Sequence, residues 1–528
     1  MKSLTKYVGG LALLSLLTVV GCEKDFEKIN TNPNNTKSAP TPYIMTYAQR
    51  HIAYFVNDVW YSGRQASLAC QQWSQRNYTS EDRYSFREAT MDGFFRNMYI
   101  WMYNYQAIIG LNTDPATKDA FSIYGDNAMQ IATAEIMKAW GFQLLTDAFG
   151  DVPYSQALQP DKYPTPKFDA QQDIYDDLIA KLTAAATALQ GSNGWATGDI
   201  LYGGDVDQWI KFANSLRLRL ALRASKVNSA KYMPIALDAI ADGVFTSNAD
   251  DAIVQFAGAG EPNEAPVYNG FIVNKRNDFT LTKQFVNLMK GLDDAAKGFV
   301  NPLNGIVDPR LAVYRGPWAS NATRVGIPYG MSDAETKQYV TANSVINLRP
   351  SYTLSLLPYN LQPDFSATYL DFATVSFMAC EVEGWSRARF QAGVEASLAK
   401  LGITDLAYVA SVLAKYDAAT TDAQRAELVI TQKYIHLYNQ PYEAWSEYRR
   451  TGFPKSIVKP GEVTAVVGGN NILFTPVNGK ESGNDIVARF KYGISEYVLN
   501  RSNVEAAATA MGGDDHKHKV WWAGGGSQ

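Results

Sequence analysis

Cysteine and histidine are scarce in this sequence, which limits the chemistry that it can perform. The 528 residues include only three cysteines and four histidines. No Cys-x-x-Cys pair or histidine-rich ligand set occurs, so neither a zinc site nor a disulfide framework is expected. Cys70 and Cys380 lie in apolar stretches and are predicted to be buried free thiols. We therefore expect no resident metal and no cofactor.

Catalytic motifs are missing as well. The sequence contains no His-Glu-x-x-His motif, no Gly-x-Ser-x-Gly nucleophile elbow and no phosphate-binding loop. Glu443 and Glu447 stand one helical turn apart with two arginines nearby, which favours a solvated or ion-paired helix face over a glycosidase pair. A glycosidase stays open, because its two acids can lie far apart in the chain. Residues 514–518, Asp-Asp-His-Lys-His, are predicted to be a mobile polar tail rather than a metal site. We expect the protein not to be an enzyme.

Basic stripes and long apolar runs are also lacking. The formal net charge is −4, and no cluster of Lys and Arg offsets it, which argues against binding to nucleic acid or to anionic lipid heads. Beyond the first 21 residues, no apolar run approaches the length of a membrane-spanning helix. The body of the protein is therefore expected to fold outside the lipid.

The N-terminus has the pattern of a secretory signal. Lys2 and Lys6 precede residues 8–20, which carry no charge and are rich in Leu and Val. This run is shorter than the ~20 residues that a helix needs to cross a bilayer. Such a positive segment followed by a short apolar one is typical of a signal peptide, which we place at residues 1–21.

A lipid anchor is predicted directly after the signal peptide. The apolar run ends in Val-Val-Gly-Cys, which resembles a bacterial lipobox, where the cysteine is acylated and the chain is cut before it. Lipid attachment is therefore expected at Cys22, followed by an extended tether over residues 22–42. The charged run at residues 23–27 is similar to the acidic signals that send lipoproteins of Bacteroidetes to the outer leaflet of the outer membrane. We expect the protein to be lipid-anchored there and to face the cell surface.

The remaining chain, residues 43–528, is interpreted as one unit that is mainly α-helical. Helical periodicity dominates residues 43–245 and returns at residues 370–454. Residues 246–369 hold many Gly, Pro and Asn and are expected to form an irregular, loop-rich lobe, while residues 455–528 have mixed character. The helices resemble tetratricopeptide-type pairs, although no clean 34-residue repeat is found.

Several elements can be placed individually. A helix over residues 169–189 is predicted to begin with a capping box formed by Asp169 and Gln172. Another, over residues 126–149, should stop at Gly150, because glycine tolerates a left-handed cap. A β-hairpin is expected within residues 463–475, around a Gly-Gly-Asn-Asn turn.

Motifs along nearly the whole mature chain resemble the SusD/RagB family of nutrient-binding outer-membrane lipoproteins of Bacteroidetes, in particular its second large branch. They include Asn-Thr-Asn-Pro-Asn-Asn at 30–35, Gln-Gln-Trp-Ser at 71–74, residues 78–84 and 139–142, Asp-Ala-Phe-Gly-Asp-Val-Pro at 147–153, residues 209–219, Asp-Pro-Arg-Leu at 308–311, residues 443–454 and Lys-Val-Trp-Trp at 519–522. Each motif is modest alone, and their number and order carry the resemblance.

The resemblance implies a noncatalytic function. A SusD-like lipoprotein forms a lid on a TonB-dependent outer-membrane barrel, captures oligosaccharides and passes them to that barrel. The same lid captures oligopeptides in the RagB-like members, so peptide capture remains the main alternative, with glycans favoured. A surface glycan hydrolase and a purely structural helical-repeat adaptor are further alternatives.

The resemblance also places ligand-binding elements in the N-terminal part and in the middle loops. Aromatic faces suit the apolar faces of sugar rings, and arginine can hold the hydroxyl groups. Trp318, next to a polar loop, is the preferred single candidate, whereas Trp73 follows an apolar helical run and suits the core equally well. The candidate ligand-binding residues are Trp60, Tyr61, Trp73, Tyr78, Tyr84, Arg315, Trp318, Arg324 and Tyr329.

Overall fold

Helices build most of the structure, a computed structural model that describes residues 39–258, 260, 262–315, 324–346, 358–477 and 483–525. Within these residues there are nineteen α-helices and eight short strands. The predicted mainly α-helical fold with tetratricopeptide-like pairs is confirmed. The signal peptide, Cys22 and Trp318 lie outside the described residues.

The N-terminal helices and strands occupy residues 41–241. The helices are α1 (Thr41–Phe55), α2 (Ala66–Ala69), α3 (Glu88–Thr113), α4 (Lys118–Phe121), α5 (Asn127–Phe149), α6 (Gln171–Leu189), α7 (Val206–Ser225) and α8 (Ser229–Ala241). The strands are β1 (Trp73–Gln75), β2 (Val152–Pro153) and β3 (Phe168–Asp169). Helix α5 ends at Gly150, whose positive φ of 88° suits a residue without a Cβ. This is the predicted end of the helix.

The predicted capping box of the next helix is wrong. Helix α6 begins at Gln171, and its cap residue, Ala170, makes no side-chain hydrogen bond. Asp169 instead lies in β3, where its carboxylate accepts hydrogen bonds from the backbone N–H groups of Tyr154, at 3.2 Å, and Ser155, at 2.7 Å. The pairing of β2 with β3 draws this carboxylate to the preceding loop and away from the helix terminus.

The middle of the chain has shorter elements. The helices are α9 (Pro266–Tyr268), α10 (Lys283–Met289), α11 (Arg310–Arg315) and α12 (Asp333–Ala342), and the strands are β4 (Ala252–Gln255), β5 (Phe279–Leu281) and β6 (Ser366–Leu370). Strand β5 pairs antiparallel with β1, and β4 pairs antiparallel with β6. The pairing of β5 with β1 ties the middle segment to the N-terminal part of the chain.

Longer helices return in the last third of the chain. They are α13 (Phe372–Val382), α14 (Arg387–Ala399), α15 (Leu406–Asp417), α16 (Asp422–His436) and α17 (Pro441–Thr451), followed by α18 (Ile494–Leu499) and α19 (Arg501–Ala510). Between the last two groups, β7 (Val463–Val467) and β8 (Asn470–Leu473) form an antiparallel hairpin across Gly468 and Gly469, as predicted. Cys70 and Cys380 are buried free thiols, also as predicted.

Helix packing joins these groups around a large apolar core. Helix α3 packs on α5, α5 on α6, α6 on α7 and α7 on α8, while α13 packs on α14 and also contacts α7. Glu443 and Glu447 are buried within this packing rather than solvated. Arg223 forms ion pairs with both glutamates, at 2.5 and 3.4 Å, and with Asp147, at 2.5 Å. Of the two arginines near them in sequence, Arg450 pairs with Glu447 at 2.9 Å. The glutamates are therefore ion-paired, as predicted, but they are not exposed to solvent.

The C-terminal segment is also packed. His516 is buried, and its Nδ1 lies 2.9 Å from the backbone oxygen of Arg489. Trp522 is fully buried, and its indole N–H donates to Asp147 at 2.7 Å. The prediction of a mobile polar tail at residues 514–518 is therefore wrong, because buried His516 and Trp522 hold the segment against the folded body. None of the helices described here is long and apolar enough to span a membrane.

Candidate functional site

A tight turn after α1 presents Trp60 and Tyr61. The Asp58 carboxylate accepts a hydrogen bond from the backbone N–H of Tyr61 at 2.6 Å. Burial raises the pKa of Asp58 to about 7, and the backbone N–H groups of the turn oppose that rise. A Cβ on Gly63 would approach the Val59 carbonyl oxygen to 2.5 Å, so this close turn requires glycine there. The turn leaves the Trp60 side chain 37% exposed.

Three guanidinium groups surround the Trp60 ring. The Arg64 guanidinium lies 4.9 Å from the ring centroid, that of Arg276 5.7 Å and that of Arg87 5.8 Å. Cations at these distances are attracted to the negative face of an indole. We call these four residues the Trp60 cluster.

Two buried carboxylates hold the arginines in place. Glu81 forms ion pairs with Arg64 at 2.6 Å and with Arg87 at 3.0 Å. Asp278 pairs with Arg64 at 3.4 Å and with Arg276 at 3.7 Å. Three positive and two negative charges leave one net positive charge. Arg64 is itself buried, so the guanidinium groups of Arg87 and Arg276, whose side chains are 43% and 45% exposed, are the polar groups that face solvent around the ring.

Tyr61 turns from Trp60 towards helix α3. A Cβ on Gly93 would lie 2.9 Å from the Tyr61 ring, so the ring can approach the helix only where a glycine stands. The Asn97 side chain donates to the Tyr61 hydroxyl at 3.4 Å, and the ring centroid is 4.4 Å from that of Phe55. Burial raises the pKa of the Tyr61 hydroxyl, and the negative charge of Asp58 adds to that rise. The hydroxyl therefore stays protonated and available as a hydrogen-bond donor.

Among the candidate aromatic residues that the structure describes, Tyr78 is the most exposed. It is 63% exposed and adopts a positive φ of 59° in the loop after β1. This loop is fixed on both sides. The Arg76 guanidinium donates to Asn277 at 3.1 Å, and the Thr79 backbone N–H donates to Asp333 at 3.0 Å. Its neighbours thus hold Tyr78 at the surface of the segment that also carries Trp60.

Three of the predicted ligand-binding aromatics lie in the core. Trp73 is buried in β1, and its indole N–H donates to the Tyr438 hydroxyl at 3.1 Å. Tyr84 and Tyr329 are also buried, and both rings contact Phe474, with centroids 5.0 and 5.4 Å away. A ligand would have to open the core to reach these rings. The structure therefore does not offer them as a binding surface.

The two predicted arginines lie in a separate basic patch. Arg315 ends α11, and its pKa is lowered by burial and then by the nearby charge of Arg324. The Lys290 ammonium donates to the backbone oxygen of Arg324 at 2.6 Å. Trp318, the preferred candidate, falls between these arginines in sequence and outside the described residues.

Sequence reasoning found Trp60 and Tyr61 but missed the arginines of the Trp60 cluster. Arg64 carries a local signal, since it follows Trp60 by four residues. No local sequence pattern indicates Arg276, because only the pairing of β1 with β5 brings its loop to the N-terminal segment. The partners that make Trp60 a candidate site are therefore largely a product of the fold.

One buried set of side chains resembles a hydrolase triad in composition. Ser397 Oγ lies 2.9 Å from His436 Nδ1, and His436 Nε2 lies 2.9 Å from Asp371 Oδ1. The order of the ring nitrogens is the reverse of that in serine hydrolases. Arg310 also donates to Ser397 Oγ at 2.7 Å. All four residues are buried, and the adjoining cavity of about 20 Å³ has room for a water molecule but not for a sugar.

The pKa values within this set match a structural role. Burial lowers the pKa of His436, which keeps the ring neutral near pH 7. Nearby positive charges hold the pKa of Asp371 well below its usual range despite its burial, and Lys400 lies 2.7 Å from its carboxylate. Across the described residues, no group of three or more His, Cys, Asp or Glu is placed to hold a metal ion.

Comparison with known proteins gives consistent matches. Residues 33–466 match the SusD-like_2 family, described as "Starch-binding associating with outer membrane". A chitin-binding SusD homolog from Flavobacterium johnsoniae superimposes with a TM-score of 0.71 at 20% identity, over 91% of this chain and 98% of that one. A SusD homolog from Parabacteroides distasonis gives a TM-score of 0.73 at 22% identity, over 92% of this chain and 98% of that one. A structure described as a chitin-binding protein gives a TM-score of 0.66 at 24% identity, over 92% of this chain and 100% of that one. No curated protein matches the chain significantly.

Proposed function

Because the chain belongs to the SusD-like family, we propose that it is a noncatalytic surface lipoprotein that captures oligosaccharides and delivers them to a TonB-dependent outer-membrane barrel. The family description as starch-binding supports a glycan ligand. The names of two structural neighbours, both chitin-binding, support it further. The observation that carries the proposal is the partly exposed Trp60 ring with the exposed guanidinium groups of Arg87 and Arg276 beside it.

The Trp60 cluster has the two kinds of group that a neutral sugar needs. The indole offers a flat apolar surface for the C–H face of a sugar ring. The guanidinium groups donate hydrogen bonds in fixed directions to hydroxyl and carbonyl oxygens. Since Glu81 and Asp278 already anchor the arginines, binding requires little reordering of side chains.

Peptide capture is the second candidate. The Trp60 cluster and its two carboxylates keep one net positive charge, which would attract a peptide carboxylate. Isothermal titration of the purified, detergent-solubilised lipoprotein with starch oligosaccharides, chitin oligosaccharides and a peptide pool separates these candidates. We expect heat from at least one glycan series. Heat from the peptides alone would overturn the glycan assignment.

Enzymatic turnover is tested on the same samples. The buried Ser397, His436 and Asp371 leave no space for a glycosidic bond, so we expect each oligosaccharide to be recovered intact after incubation. Release of shorter sugars, measured by chromatography and absent with heat-denatured protein, would favour a surface glycan hydrolase instead.

The anchor and the partner belong to the same proposal. Acylation of Cys22 would hold the chain in the membrane, with residues 22–42 as the tether to α1. A Cys22→Ala variant should leave the membrane fraction after a carbonate wash, and its retention there would contradict the anchor. The wild-type lipoprotein should copurify with a large outer-membrane barrel. A purely structural adaptor would neither bind a glycan nor copurify with an outer-membrane barrel.

A further inference from the structure

A groove runs along one side of helix α3. Phe95, Tyr99 and Tyr103 recur every four residues on one face of this helix and form the floor. The opposite wall is the loop between β2 and β3. The groove has a volume of about 450 Å³, and its main wall residues are Pro153, Ala157, Leu158, Pro160, Tyr163, Pro164 and Pro166.

The groove wall is held in place by hydrogen bonds at both ends. The Tyr99 hydroxyl donates to the backbone oxygen of Pro153 at 2.8 Å. At the other end, the Asn500 side chain donates to the backbone oxygen of Pro166 at 2.8 Å. The Lys167 backbone N–H donates to the Gln156 side chain at 2.9 Å and ties the two arms of the loop together. The groove is therefore preformed, which lowers the entropic cost of filling it.

Polar side chains interrupt the apolar lining. Arg96, Gln156, Gln159 and Glu496 line the groove together with its aromatic rings. A purely hydrophobic partner would remove water from these polar groups, at a cost in free energy. A ligand with both C–H faces and hydroxyl groups would satisfy the two kinds of surface.

Arg96 lies between the groove and Tyr61, because it lines the groove and its positive charge opposes the rise in the pKa of the Tyr61 hydroxyl. The Tyr61 ring packs against Gly93, and its hydroxyl accepts from Asn97. Arg96 and Ile100, which belong to the same turns of α3, line the groove. At a rise of 1.5 Å per residue, Gly93 and Tyr103 are about 15 Å apart along the helix axis. Tyr61 and the groove therefore lie on the two sides of the exposed face of α3, with Arg96 and Ile100 between them.

We propose that this groove is a second part of the glycan-binding surface, in which Tyr99, Tyr103 and Tyr163 contact the sugar units of a longer oligosaccharide that extends from Trp60. The inference rests on the function proposed above. It narrows the ligand class to oligosaccharides long enough to cover both Trp60 and the groove.

The test compares ligand lengths. Detergent-solubilised wild-type protein and Tyr103→Ala are titrated with a series of one neutral oligosaccharide, from two to eight units, chosen from the glycan class that the wild type binds. Tyr103 is 47% exposed, so its truncation should leave the thermal midpoint unchanged. We expect wild-type affinity for the shortest ligand bound and a loss of roughly three- to tenfold for the longest, as for one aromatic contact.

Three further variants make the outcome specific. Tyr103→Phe keeps the ring and should keep the affinity for long chains. Tyr43→Ala removes another exposed tyrosine, at the start of α1, and should change nothing. Trp60→Ala should weaken short and long ligands alike. The series needs no knowledge of the natural ligand beyond its class.

The outcomes separate the two proposals. Equal affinity of Tyr103→Ala and wild type for the longest chains, with Trp60 still required, would overturn the groove inference and leave the proposed function intact. Equal weakening of short and long chains by Tyr103→Ala would also overturn it. If no glycan binds, or if Trp60→Ala has no effect on any, the proposed site itself fails.

Discussion

Replacement of Trp60 by alanine is the most direct test of the candidate site. A fully covered tryptophan side chain contributes about 250 Å² of buried surface. The 37% of Trp60 that remains exposed therefore gives a ligand roughly 90 Å² to cover. At about 25 cal/mol per Å², complete coverage would contribute about 2 kcal/mol, or roughly a thirtyfold change in Kd. A ligand that covers half of this surface would lose about fivefold.

The assay is isothermal titration with the tightest glycan found for the wild type. We expect Trp60→Ala to raise Kd between about fivefold and about thirtyfold, and Trp60→Phe to recover part of the loss, because a smaller ring remains. The thermal midpoint should change little, since the ring is not part of the core. If folded Trp60→Ala binds every such glycan within about twofold of wild type, the reasoning from exposed indole surface is wrong.

Three further predictions concern stability. Asp199→Ala removes the acceptor of four N–H donors, including the Trp209 indole at 2.7 Å. It should lower the free energy of unfolding, measured in urea titrations, by about 3 kcal/mol, and a loss below about 1 kcal/mol would contradict this. Burial raises the pKa of Asp82 to about 7, above its unfolded value of about 3.9. The protonated carboxyl group therefore contributes to the free energy of unfolding at low pH, and this contribution is lost as the pH rises from about 4 through 7. Asp82→Asn should therefore gain stability relative to wild type across that interval, and a constant difference would exclude the shift. Gly270→Ala would place a Cβ 2.2 Å from Val59, next to Trp60, and should destabilise the protein by about 1–3 kcal/mol, which a thermal midpoint equal to that of wild type would refute.

Much of the fold could be predicted from local sequence patterns. The end of α5 at Gly150, the hairpin of β7 and β8, and the burial of Cys70 and Cys380 follow from residue preferences within a few positions of each feature. The family follows from many short motifs in a fixed order, which a sequence displays directly. The capping prediction failed because the Asp169 side chain accepts from other backbone N–H donors, which only the paired strands bring near.

The sequence by itself determined the helical class, the end of α5, the hairpin and the family, since each depends on neighbouring residues or on motif order. Only the tertiary structure decided which aromatic rings face solvent. Trp60 and Tyr84 are both aromatic residues of the N-terminal segment, yet one is 37% exposed and the other is packed beside Phe474. Arg64 meets Asp278, 214 residues away, only because β1 and β5 pair. Burial depends on surfaces contributed by distant segments, and periodicity along the chain does not contain that information.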